Sequence, residues 1–238
     1  MKLSAFELGY QALNEKVRAS EDDIEIDQCY GERFIGAGAQ DKTITVNGTP
    51  GNALGCYLNG AAIVVNGNAQ DAVGDTMNDG KIIVYGNAGD ALGYAMRGGK
   101  IFVKGNSGYR TGIHMKEYED TRPTIVVGGS VGSFLGEYLA GGLIVVLGLG
   151  TDGFPAGNFT GTGMHGGEIF IRTAIEPKSL PKQVSMSLAD ESDMAHLQDT
   201  LQEYSGLFGV SMDEILSKPF YRLTPNATNP YKQLYTEN

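Results

Sequence analysis

Few side chains in this sequence have the type and spacing to do chemistry. The chain has three histidines and two cysteines. His114 stands close to Glu117, Glu119 and Asp120, and together with His165 these groups would give a nitrogen and oxygen ligand set for a metal if their two loops met. No HxH or HxxxH pair supports that set, so no metal site is assigned and His114 and His165 stand only as candidates. His196 reads as a surface residue of a C-terminal helix. Cys29 and Cys56 have no neighbouring base that would activate a thiolate, and two cysteines cannot supply a four-cysteine cluster. Asp75 and Asp79 read as solvated turn residues. Gly148, Gly150 and Gly153 spell a dinucleotide fingerprint after an apolar run, but Pro155 and Gly157 follow where a helix would have to start. The residues therefore imply no catalytic group and no cofactor held by this chain.

Glycine marks the elements that must position everything else. The chain of 238 residues has 35 glycines, and 31 of them fall between Gly36 and Ile175. That share is about twice the usual ~7%. Aligning TITVNG, AIVVNG, KIIVYG, KIFVKG, TIVVGG, LIVVLG and EIFIRT places Ile44, Ile63, Ile82, Ile101, Ile125, Ile144 and Ile169 in register, with spacings of 19, 19, 19, 24, 19 and 25. A G-x-x-G-x-x-x-G pattern recurs between these runs, as in Gly86, Gly89 and Gly93. Such a period is too short for a helix pair, and the β-branched run within it is a strand. The expected fold is all-β: a right-handed, single-stranded parallel β-helix, or solenoid, of about seven 19-residue coils with short helical flanks. Residues 1–33 form an N-terminal cap, 34–175 the repeat region and 176–238 a C-terminal helical flank. Gly36, Gly55, Gly74, Gly93, Gly136 and Gly161 share one repeat position and read as corners that need positive φ.

Alternation along the strands predicts two inward ladders, with the residue between them pointing outward. That outward column reads Thr45, Val64, Ile83, Phe102, Val126, Val145 and Phe170. A solvated face would be polar, so something covers it. The terminal segments would do so within the chain; a partner doing so makes Val64, Ile83, Phe102, Val126, Val145 and Phe170 an interface, for another subunit or a second copy.

Composition narrows the function classes. A net charge of −10 argues against a nucleic-acid or anionic membrane surface. No run of ~18 apolar residues is present and the N-terminal residues lack a signal-peptide core, so a cytoplasmic location is expected.

The glycine repeats, EYLAGGLIVVLG (Glu137 to Gly148) and GMHGGEIFI (Gly163 to Ile171) resemble the C-terminal domain of the glutamate synthase large subunit over about residues 27–175. GNAGDALGYAMRGG (Gly86 to Gly99) is similar to the repeat-bearing subunit of formylmethanofuran dehydrogenase. The first resemblance implies a non-catalytic scaffold for glutamine amide transfer to 2-oxoglutarate, beside glutaminase and synthase subunits that would hold FMN and iron–sulfur clusters. Residue 2 is lysine, so no N-terminal cysteine nucleophile is expected. The second resemblance implies a scaffold in a molybdenum or tungsten complex of one-carbon metabolism. An independent enzyme built on the His114 and His165 loops is the remaining alternative.

Overall fold

The computed structural model describes residues 1–177 and 179–226; position 178 and positions 227–238 of the expected C-terminal flank lie outside the described residues. Strand β1 (Lys2–Ser4) leads into helix α1 (Ala5–Ala19), whose first turn is closed by the Ser4 hydroxyl accepting from the Glu7 N–H. Eight strands follow: β2 (Ile24–Tyr30), β3 (Thr43–Thr49), β4 (Asn59–Asn66), β5 (Asp79–Val84), β6 (Lys100–Val103), β7 (Thr124–Val127), β8 (Ala140–Val146) and β9 (Gly166–Arg172). The described chain ends in β10 (Val184–Leu188), α2 (Glu191–Phe208), α3 (Met212–Ile215) and β11 (Phe220–Pro225). All 11 strands belong to one sheet, in chain order from β1 to β9 and then β11 and β10. The pairings from β1 to β9 are parallel, and the two that add β11 and β10 are antiparallel.

This corrects the expected all-β solenoid. The strands form a single open, mostly parallel sheet edged by β1 and β10, with helices packed against it, which is an α/β arrangement. The 19-residue period dictates which residues pair; it does not dictate how the sheet is bounded. The flanks, expected mainly as caps, add strands at both edges and a helical layer.

The pairing register follows the repeat. Ile44 pairs with Ile63, Ile63 with Ile82, Ile82 with Ile101, Ile101 with Ile125, Ile125 with Ile144 and Ile144 with Ile169. These isoleucines, and the Val46 to Ile171 ladder two residues further along each strand, are fully buried. They pack against Leu54, Val73, Leu92 and Leu135 from the segments that return the chain to the next strand. Both faces of the central strands are thereby covered, as parallel sheets require.

The return segments are not helical; they stack on one another through main-chain hydrogen bonds. In all but the last, the N–H of a residue at positive φ donates to the following repeat, as from Ala53 to Asp71 O, Ala72 to Asp90 O and Ala91 to Tyr109 O, at 2.8–2.9 Å. Four residues later a second such position donates likewise, as Thr76 does to Tyr94 O at 2.7 Å. Many of these left-handed positions carry side chains: Phe34, Ala53, Ala72, Ala91, Arg110, Phe134 and Phe159 in one column, and Tyr57, Thr76, Ala95, His114 and Tyr138 in the other. Between the two columns lies the glycine column, where φ is again positive. The difference is packing. A Cβ on Gly93 would stand 2.4 Å from Ile125 Cδ1, and one on Gly74 would stand 2.4 Å from Ile101 Cδ1. Glycine is required where the Cβ would strike the isoleucine ladder, and other residues bear the same φ where the Cβ points out.

Two substitutions two residues apart separate these effects. Gly93→Ala is expected to lower unfolding free energy by about 2–3 kcal/mol, through the clash and backbone strain together. Ala91→Gly, at φ 54, is expected to be neutral or to stabilise by up to ~1 kcal/mol, because relief of the left-handed strain opposes the added entropy of the unfolded chain. Urea denaturation of both variants checks the pair.

Candidate interaction surfaces

The outward ladder is taken by the chain's own C-terminal segment. Phe102, Val126, Val145 and Phe170 are fully buried and Ile83 nearly so, in one cluster with Leu197, Leu201, Tyr204 and Phe208 of α2, Ile215 of α3 and Phe220 of β11; Val64 packs at its margin. Of the two covers that the sequence leaves open for Val64, Ile83, Phe102, Val126, Val145 and Phe170, a partner or the chain's own flank, the flank is the one found. Asp190 starts α2 with a reciprocal capping box to Asp193, and Gly209 ends it in a left-handed cap, so the helix spans the length needed to cover the ladder.

Charge pairs hold the helix down. Glu203 of α2 bridges Lys81 of β5 and Lys100 of β6, residues that stand side by side in the sheet. Nearer the N-terminus of α2, Glu168 of β9 bridges Arg122 and Arg222, and Arg222 also reaches Asp193 at 3.1 Å. Burial alone would raise the carboxyl pKa of Glu168, but hydrogen bonding to Arg122 and the charge of Arg222 outweigh it and leave the value depressed. Glu203 behaves in the same way: burial opposes ionisation, and hydrogen bonds from Lys100 and Lys81 prevail. Arg172, buried, donates to Leu147 O at 3.0 Å and to Ile215 O and Glu214 O at 2.7 Å, fastening α3 to the sheet. None of these ion pairs announces itself locally in sequence; only the 19-residue spacing of Lys81 and Lys100 hints that they meet one counterion.

The candidate metal ligands are not gathered into a site. The His114 ring is stacked on Tyr138 at 5.1 Å and edge-on to Tyr94 at 5.9 Å. The Nδ1 of His165 faces Gly163 O at 3.1 Å. Among the described residues no three His, Cys, Asp or Glu side chains converge on a metal-sized point. Burial pushes the Cys29 thiol up to about 12 and also raises Cys56, so neither is a ready thiolate.

The left-handed columns instead build an exposed aromatic edge. Because side chains there must point away from the core, those of successive repeats lie against one another. Phe134 stacks on Phe159 at 5.0 Å, and the Arg110 guanidinium lies 5.1 Å from the Phe134 ring while pairing with Glu137 at 3.0 Å. Tyr57, Tyr109 and Phe159 remain more than half exposed. Aromatic and arginine side chains clustered at a surface are the composition of interface cores.

A family model described as the GXGXG motif matches residues 18–227. The chain belongs to this family. A relative from Methanocaldococcus jannaschii, an uncharacterized protein, is 40% identical over 249 aligned residues, covering 98% of this chain and 95% of that one. The fold of this chain is also similar to that of a chain in the crystal structure of the formyltransferase/hydrolase complex from Methylorubrum extorquens, solved with methylofuran. The TM-score is 0.65 at 22% identity, with 86% of this chain and 73% of that chain covered. Glutaminase and synthase partners gain no support from these likenesses, and the glutamate synthase assignment is set aside. No helix among the described residues is long and apolar enough to cross a membrane.

The charge pairs make stability depend on acid. A depressed carboxyl pKa contributes stability that is fully present above the unfolded value, about 4.3, and is lost as pH falls through the folded value. The melting temperature is expected to drop below about pH 4, and Glu168→Gln to cost about 1–3 kcal/mol at pH 7 while flattening that drop, because its partners keep some solvent access. Calorimetric melts between pH 3 and pH 7 on the two proteins read both effects.

Proposed function

We propose that this protein is a non-catalytic scaffold subunit of a complex that handles formyl groups, of the formylmethanofuran dehydrogenase type. The observation that carries the reading is a surface suited to contact: Arg110, Phe159, Tyr94 and His114 are exposed and lie against the half-buried rings of Phe134 and Tyr138. The fold likeness to a chain of the formyltransferase/hydrolase complex supports this choice over a glutamate synthase assembly. The repeat GNAGDALGYAMRGG, which resembles the repeat-bearing subunit of formylmethanofuran dehydrogenase, supports it from the sequence side. The role of the chain is to hold catalytic subunits in place through the aromatic edge, with α2 closing the opposite face of the sheet.

Affinity purification of the tagged chain from its native cell tests the assignment. Subunits that transfer, hydrolyse or oxidoreduce a formyl group are expected to copurify. A flavin and iron–sulfur assembly with glutaminase activity, or a lone monomer, would overturn it. Replacing Phe159 by serine is expected to weaken partner binding at least ~10-fold with little change in melting temperature, as for an exposed aromatic anchor.

A further inference from the structure

The stacked return segments have a first member, and beneath it stands helix α1 rather than another repeat. In later repeats, the glycine-column N–H donates to the repeat before: Gly55 to Ile35 O, Gly74 to Leu54 O, Gly93 to Val73 O and Gly112 to Leu92 O, at 2.7–2.9 Å. Four residues further on, Asn59 donates to Ala39 O at 3.0 Å and Arg97 to Met77 O at 2.8 Å. Cys56 O, Asp75 O and Tyr94 O each accept from the preceding repeat's second left-handed residue. In the first repeat the equivalent groups are Gly36 N–H, Gln40 N–H and Ala37 C=O, and none has a hydrogen-bond partner among the described residues.

The N-terminal segment supplies only some of what a preceding repeat would. The Asn14 amide of α1 donates to Arg33 O at 2.7 Å, and the Asp23 carboxylate accepts from Thr43 N–H at 2.7 Å. Between these two substitutes a cavity of about 490 Å³ remains, and Gly36, Ala37 and Gln40 line it beside Asn14, Arg18 and Phe34 of its walls. Its size lies in the range of ligand sites, about 300–1,000 Å³. Gly36 is buried, Ala37 half-buried and Gln40 exposed, so the three groups run from the floor of the cavity to its mouth.

We infer that this cavity binds a glycine-bearing main-chain segment of a partner polypeptide, which adds the missing return segment beneath the first repeat. The chemistry is set by the repeats themselves. Wherever an equivalent trio is satisfied in this chain, the counterpart is backbone: two carbonyls and one N–H from a stretch whose central glycine has positive φ. The stretch Ala72 to Met77 shows the complement in full. Its Val73 O receives Gly93 N–H, its Met77 O receives Arg97 N–H and its Thr76 N–H reaches Tyr94 O. Strand addition to a sheet edge works by the same exchange of main-chain bonds, here transferred to a stack of corners. The inference rests on the reading of the chain as a subunit, but the cavity can be probed without the partner.

The probe is a capped hexapeptide with the sequence of residues 72–77, titrated into the ¹⁵N-labelled full chain. Saturable downfield shifts of the Gly36 and Gln40 amide protons are expected. They should be lost with a peptide carrying Gly74→Val, which cannot take the left-handed corner. They should also be lost in an Ala37→Trp chain, where a half-exposed residue fills the cavity. Absence of saturable shifts at these two amides, equal shifts with the Gly74→Val peptide, or full retention of the shifts in an otherwise native Ala37→Trp spectrum would overturn the inference. Failure here with catalytic subunits still copurifying would leave the scaffold reading intact; success here with a monomeric native chain would remove that reading alone.

Discussion

One interaction sustains this molecule: the main-chain hydrogen bond from a residue at positive φ to the carbonyl of the next repeat. An L-residue in that conformation costs about 1–2 kcal/mol relative to the right-handed region. The cost is met column by column, since from Phe34 to Phe134 each strained residue of the first column hands its N–H to a carbonyl of the next repeat and the return segments have no helix to satisfy them otherwise. The same bonds bring Leu54, Val73, Leu92 and Leu135 over the isoleucine ladder, so the strain and the core are two aspects of one geometry.

This geometry sorts the residue types more finely than conformation alone. Three left-handed positions occur in a typical return segment, and only the middle one is invariably glycine, because only its Cβ would enter the core. The outer two are free to carry side chains, and those side chains have nowhere to go but outward. The exposed aromatic edge is thus a by-product of the stacking rule, available for contact because the fold has no use for it internally.

The strand register is legible in the sequence because identical isoleucines recur at the repeat spacing, and the glycine corner column is legible for the same reason. Gly112, in the glycine column at φ 71, is harder to see because a lengthened segment shifts it relative to the next strand. The left-handed alanines and aromatics are invisible, since composition marks only glycine as tolerant of positive φ. The sheet's boundary and the cover over the outward ladder are not legible either. Alternation shows that Phe102 and Phe170 need a cover, but Glu203 meeting Lys81 and Glu168 meeting Arg122 are long-range matters without a local pattern. Sequence shows that the ladder needs a cover but leaves open whether the flank or a partner supplies it; α2 settles that choice by burying Phe102 and Phe170.

The buried guanidinium of Arg172 also bears on how the chain is made. Arg172 ends β9, yet the carbonyls of Glu214 and Ile215 that neutralise its desolvation come from α3. During synthesis a ribosome releases β2 to β9 well before α3 emerges, so the nascent sheet must wait with a charged side chain and an apolar ladder still wet. Closure of the sheet over Arg172 is therefore a late event, possible only once α3 has left the exit tunnel.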